Sequence, residues 1–160
     1  MTKRHTRNER PTLGPQWPLG RCPIRAQIDL EAVALSPRLA RRFIADTLAP
    51  WADVDLVDAA ELLVSELVTN AVVHAHSRAS VVIVTGRDRT DVRIEVHDDG
   101  RDPPRLGGFD PDALSGRGLA LVDAISDRWG VEPSAPTAPG KRVWFELRVR
   151  TTQPAHAGQP

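Results

Sequence analysis

Apolar and polar residues alternate along this chain with two periods, and the switches between them mark out the elements. Ile24, Ala26, Ile28 and Leu30 alternate with Arg25, Gln27 and Asp29, the period-two signature of a half-buried strand. Leu39, Ala40, Phe43, Ile44 and Leu48 then recur at helical spacing, with Ser36 placed to cap, Pro37 suited to the first turn and Pro50 beyond the end. Arg38, Arg41 and Arg42 fall on the outward side of that helix. A longer helix is predicted from Leu56, Ala60, Leu63, Leu67 and Ala71, capped by Asp53 and carrying Asp55, Asp58 and Glu61 where a helix amino terminus favours negative charge. The β-branched run from Ala79 to Thr85, turn chemistry over Gly86 to Thr90, and the alternation of Val92, Ile94 and Val96 with Arg93 and Glu95 predict a hairpin.

Residues 101–115 are broken by proline and glycine into a loop of functional length. A third helix follows through Leu119, Ala120, Val122, Ala124 and Ile125, closing near Asp127. Two last strands run from Trp129 to about Pro133 and from Arg142 to Arg150, the second alternating Val143, Phe145, Leu147 and Val149.

At 160 residues this is one domain with tails: a basic segment over 1–21, a folded unit over 22–150 and a polar tail over 151–160. The 21 basic and 21 acidic residues balance, which argues against a general polyanion binder, and no direct nucleic-acid contact is expected. Cys22 is the sole cysteine, so an intramolecular disulfide and a multi-cysteine metal site are both excluded. No apolar run approaches the roughly 18 residues that cross a bilayer, and no signal-peptide core follows the basic start, so a cytoplasmic location is expected.

The chemistry concentrates in three places. Glu66, Asn70 and His74 follow one another at intervals of four, which would stack a carboxylate, an amide and an imidazole along one line of the long helix. Such a line can hold a metal and a phosphate, although a Glu and an Asn at this spacing commonly belong to a solvated face. His97-Asp98-Asp99-Gly100 ends the hairpin with two carboxylates and a glycine, which read alone equally forms an ordinary turn. Gly116-Arg117-Gly118 opens the third helix, where missing side chains let a phosphate approach backbone amides; a lone Gly-x-Gly is also simple loop punctuation.

Taken in order over Ile24 to Arg150, these segments resemble the GHKL ATP-binding fold of gyrase, the heat-shock chaperone, histidine kinases and mismatch-repair proteins, and within it the bacterial anti-sigma factor serine kinases. That resemblance implies an α+β two-layer sandwich, with a mixed, mainly antiparallel β-sheet carrying helices on one face. Residues 65–75 are similar to the N box, in which Asn70 would hold Mg2+ and Glu66 would be the general base. Asp98-Asp99-Gly100 is similar to the family's Asp-x-Gly box, with Asp98 accepting the adenine amino hydrogen and Gly100 leaving room for the base. Gly116, Arg117 and Gly118 resemble the second glycine box, the preceding loop the ATP lid, and His74 and Arg117 would add phosphate contacts.

The function so implied is a serine/threonine protein kinase that uses ATP and Mg2+ to phosphorylate a small anti-anti-sigma partner of the STAS type. A sigma factor and a second copy of the chain are further implied partners. The alternatives are a non-catalytic, ATP-dependent binding module and a detached histidine-kinase catalytic domain, the latter disfavoured because no phosphoacceptor helix pair precedes the domain. Two positions depart from the family pattern. Asp102, followed by Pro103 and Pro104, stands where relatives have a glycine, and a threonine usual near the Arg142 position is missing.

Overall fold

The computed structural model describes residues 24–86, 89–100, 116–134 and 139–150. In order these form β1 (Arg25–Leu30), α1 (Ser36–Leu48), α2 (Val54–Thr69), a π-helical turn (Asn70–His74), β2 (Ala79–Thr85), β3 (Asp91–Asp98), α3 (Gly116–Ile125), β4 (Arg128–Pro133) and β5 (Lys141–Arg148). The strands make one five-stranded sheet in the order β1-β2-β3-β5-β4. All four pairings are antiparallel, so among the described residues the sheet is not mixed. The tails expected over 1–21 and 151–160, and the loop over 101–115, lie outside the described residues.

Strand alternation sorts the sheet into two unlike faces. Val92, Ile94 and Val96 of β3 pair with Leu147, Phe145 and Val143 of β5 and point to the same side, where they meet Ala40, Ile44 and Leu48 of α1, Val122 of α3 and the buried stripe of α2. That stripe is wider than a single row: Leu56, Val57, Ala60, Leu63, Val64, Leu67 and Val68 are all buried, as a helix pressed between a neighbouring helix and a sheet requires. Each wholly buried side chain of the size of Leu63 or Ile44 contributes on the order of 2 kcal/mol. The architecture is therefore the two-layer α+β sandwich with its helices on one face. Among the described residues no helix is long and apolar enough to cross a membrane.

One local expectation is corrected. Ser36 does not cap α1: it is the first helical residue, wholly buried, and its hydroxyl donates to the Glu31 carbonyl at 2.6 Å, tying the helix start to the end of β1. Leu35 occupies the cap position without a side-chain bond, and Pro37 sits in the first turn as expected.

The other sheet face carries charge. Glu95 meets Arg93 at 2.8 Å, His97 at 3.0 Å and Arg142 at 3.5 Å; Glu146 meets Arg128 at 2.8 Å and Arg93 at 3.3 Å; Arg142 also pairs with Glu132. The Arg93 guanidinium lies 4.0 Å over the Trp144 ring, and Gly130 leaves room for that indole, since a methyl carbon there would fall 2.8 Å from it. Burial pushes the Glu95 carboxyl up, but hydrogen bonds from His97 and Arg93 and the charges of Arg142 and Arg93 outweigh it, lowering its pKa from the usual 4.5 to about 2.

A depressed carboxylate stabilises the fold above its unfolded pKa, and that contribution is lost as pH falls from about 4.5 towards about 2. Glu95→Gln removes it. The variant is expected to be less stable than the unaltered protein by on the order of 2 kcal/mol near neutrality, with the gap closing in acid. Urea midpoints for both proteins at pH 6 and pH 2.5 check this, and a gap that does not narrow in acid would refute it.

Candidate functional site

The long helix starts and ends in ways that suit a polar site at its far end. Asp53 Oδ1 accepts from the Leu56 N–H at 2.9 Å, capping α2, and Asp55 adds negative charge to the first turn. Sixteen residues later the winding changes. The Ala75 N–H reaches back five residues to the Asn70 carbonyl at 3.1 Å, so Asn70–His74 forms a π turn in place of another α turn. Glu66 and Asn70 keep their one-turn separation and are both half-buried. The backbone from Asn70 to His74 thus holds one residue more than an α turn would. The side chains of His74 and Arg117 lie outside the described residues.

The segment after the π turn is stapled to the end of the hairpin. Ser77 N–H donates to the Ala71 carbonyl at 3.1 Å, and Ser77 Oγ accepts from the Asp99 N–H at 2.8 Å. Ala79 pairs with Asp98 in the sheet. These contacts bring the chain leaving α2 against Asp98–Gly100. Asp98 is buried at 4% exposure, and its Oδ1 accepts from the Gly100 N–H at 3.0 Å. A methyl carbon at Gly100 would stand 2.9 Å from Asp98 Oδ1 and 3.2 Å from the Ala75 side chain. A bare glycine is what this close approach needs.

The third segment closes on the first. Gly118 lies in the opening turn of α3, as expected, and is buried. A methyl carbon added there would fall 2.6 Å from Asn70 Nδ2 and 3.6 Å from Glu66 Cβ. The helix bearing the carboxylate and amide is thus in contact with the start of the glycine-opened helix. Helix starts carry unsatisfied N–H groups and partial positive charge, so an anion is favoured there. Among the described residues Glu66 makes no hydrogen bond or ion pair, and a carboxylate is a group that can accept a proton.

The donor set suits Mg2+. Asn70 offers a hard neutral oxygen, since its amide ends interchange by rotation, and Gly118 has no side chain to crowd it. No cluster of three metal-ligating acids, histidines or cysteines occurs among the described residues. Sparse protein ligation is what Mg2+ accepts when phosphates and waters fill its remaining positions.

Three residues at this site were not foreseen from the sequence. Ser77 is the staple just described. Gly140 has φ +117°, where L side chains are strained, and a methyl carbon on it would lie 2.5 Å from the Asp98 carbonyl oxygen. Lys141 follows, pairs with Asp98 in the sheet register and places Nζ 3.3 Å from Asp98 Oδ2. Arg142, where the sequence pattern lacks a threonine, pairs instead with His97 on the opposite, charged face. The only signal for Gly140 and Lys141 in the sequence is a glycine between a proline-containing stretch and a strand.

Residues 56–151 match the family described as histidine kinase-, DNA gyrase B-, and HSP90-like ATPase. Among solved structures, the RsbU and RsbW domains of Rv1364c from Mycobacterium tuberculosis give a TM-score of 0.61 at 23% identity, covering 80% of this chain and 33% of that one. The Erythrobacter litoralis EL346 blue-light activated histidine kinase gives a TM-score of 0.47 at 24% identity, covering 61% of this chain and 32% of that one. The chain therefore spans about a third of either protein, and at these identities the likeness to the first is one of fold. No curated protein matches the chain.

Proposed function

The chain belongs to the histidine kinase-, DNA gyrase B- and HSP90-like ATPase family, and from that premise we propose that it is an ATP-dependent protein kinase of the anti-sigma type. Its acceptor is a serine or threonine hydroxyl on a small anti-anti-sigma protein of the STAS type, with a sigma factor as a second partner. The observation that carries this is the contact between Gly118 and the Asn70 and Glu66 side chains, where a methyl group could not fit without displacing the amide. A general base, a metal-ligating amide and the anion-favouring start of a helix then border one space.

In this scheme Asp98 receives the adenine amino group and Gly100 leaves room for the ring. The amides at the start of α3, with Arg117 and His74, hold the phosphates. Asn70 would hold Mg2+, which when bound would offset the negative charge developing on the phosphates. Glu66 draws the proton from the acceptor hydroxyl and orients its oxygen towards the γ-phosphorus. Phosphoryl transfer asks little covalent chemistry of a protein, so positioning and charge suffice. Similarity to the RsbW domain structure supports the anti-sigma branch as a likeness of fold only.

Two measurements test this. Calorimetric titration with ATP, with and without Mg2+, is expected to show a single site that weakens when the metal is removed. Incubation with radiolabelled ATP and STAS-type partners is expected to yield an acid-stable phosphoserine or phosphothreonine. Binding without any phosphoprotein would reduce the protein to a nucleotide-dependent binding module. An acid-labile phosphohistidine would move it to the histidine kinases.

A further inference from the structure

Among the described residues Lys141 is the one cation placed against the carboxylate assigned to adenine, and we infer that it reads the purine ring itself, donating from Nζ to a ring nitrogen beside the adenine amino group. The inference rests on the assignment above of Asp98 to that amino group. Residues paired across an antiparallel ladder project to the same face, so Lys141 of β5 emerges beside Asp98 of β3 on the helix-bearing side. The next residue in each strand, Arg142 and His97, points to the charged face, where Arg142 is engaged by Glu132 and Glu95.

Lys141 is held there, not merely near. Gly140 packs its bare Cα on the backbone at Asp98 and Asp99, and its carbonyl accepts from the Ser134 N–H at 3.1 Å, which fixes the entry into β5. The lysine side chain is 26% exposed and the Asp98 side chain 5%. The Asp98 carboxylate is divided between two donors, the Gly100 N–H on Oδ1 and the Lys141 ammonium on Oδ2. An ionised carboxylate only accepts and an ammonium only donates, so the pair presents an acceptor and a donor side by side. The edge of adenine that carries the amino group is the complement: a donor flanked by the acceptors N1 and N7. A lone carboxylate would read the amine alone, whereas the pair reads the amine and a ring nitrogen together.

The competing roles for Lys141 give different results. As a simple counter-charge for a buried carboxylate, it would affect every adenine-like ligand alike; as a rival of the amine for Oδ2, it would weaken all of them. Lys141→Met keeps the stem and removes the donor. The unaltered protein and this variant would be titrated with ATP, 1-deaza-ATP and 7-deaza-ATP. The expected result is an ATP affinity about 10-fold or more lower in Lys141→Met, as for loss of a charged hydrogen bond, with that difference vanishing for the one analogue lacking the contacted nitrogen. Lys141→Arg should recover part of the loss. Because ligands are compared on the same protein, altered folding cannot imitate this pattern.

An equal loss for all three nucleotides, or ATP binding as tight as or tighter than in the unaltered protein, overturns the role given to Lys141 and leaves Asp98 in place. Failure of the unaltered protein to bind any of the three overturns both.

Discussion

Glu66→Gln is expected to lower phosphoryl transfer by roughly 10²- to 10⁴-fold, the usual contribution of a positioned general base, while ATP affinity and the unfolding midpoint stay close to those of the unaltered protein. The substitution keeps the shape of the side chain and removes its charge and its basicity. Among the described residues nothing pairs with the Glu66 carboxylate, so no ion pair among them is broken. Its half-buried place on α2, one turn before Asn70, is set by the buried stripe of that helix and survives the change. Single-turnover transfer from radiolabelled ATP to the acceptor protein, read beside a calorimetric ATP titration, separates the two effects. Undiminished transfer would remove Glu66 as the base and require another group to take the proton.

Gly118→Ala makes the complementary test, because it should damage the site and spare the fold. The added methyl carbon would stand 2.6 Å from Asn70 Nδ2, and the amide, being the free end of a side chain, gives way first. Alanine also favours the helix by up to about 1 kcal/mol over glycine in a helix interior, and less in a first turn such as this. The melting temperature should therefore hold or rise. Mg2+-dependent ATP affinity is expected to fall by about 10- to 100-fold, the scale of loss when the support of a metal-holding group is disturbed. Calorimetry with and without Mg2+, with thermal melts on the same samples, reads both outcomes. A variant that melts normally and binds Mg2+-ATP undiminished would show that the Asn70 amide holds neither metal nor nucleotide.

Much of the fold was legible because its elements follow the two periods without conflict. The β-branched run at Ala79–Thr85, the alternation from Val92 to Val96 and the cap at Asp53 each gave an element in its observed place. What escaped were features decided by neighbours. The π turn at Asn70–His74 differs from an α turn by one residue within one turn, and both leave Ala71 and Val72 buried, so the hydrophobic pattern does not distinguish them. Ser36 carries the residue type of a cap, but the carbonyl of Glu31 takes its hydroxyl, a partner only the packed end of β1 supplies. At the site, Asp98, Gly100 and Gly118 were marked by their residue types. Lys141 is not distinguished from Arg142 by the sequence, because a one-residue step along a strand exchanges the faces and the register here depends on the bend at Gly140.

The sheet order has a consequence for how the chain reaches its native state. β5 is the last of the described strands in sequence, yet it lies inside the sheet, flanked by β3 and β4. Until residue 148 has been synthesised, the β1–β2–β3 meander presents an unprotected border along β3, and β4 has no neighbour on which to dock. Sheet completion thus awaits a late insertion event, and a nascent chain halted before Lys141 would be prone to associate with other unfinished chains through that border and to need chaperone protection meanwhile.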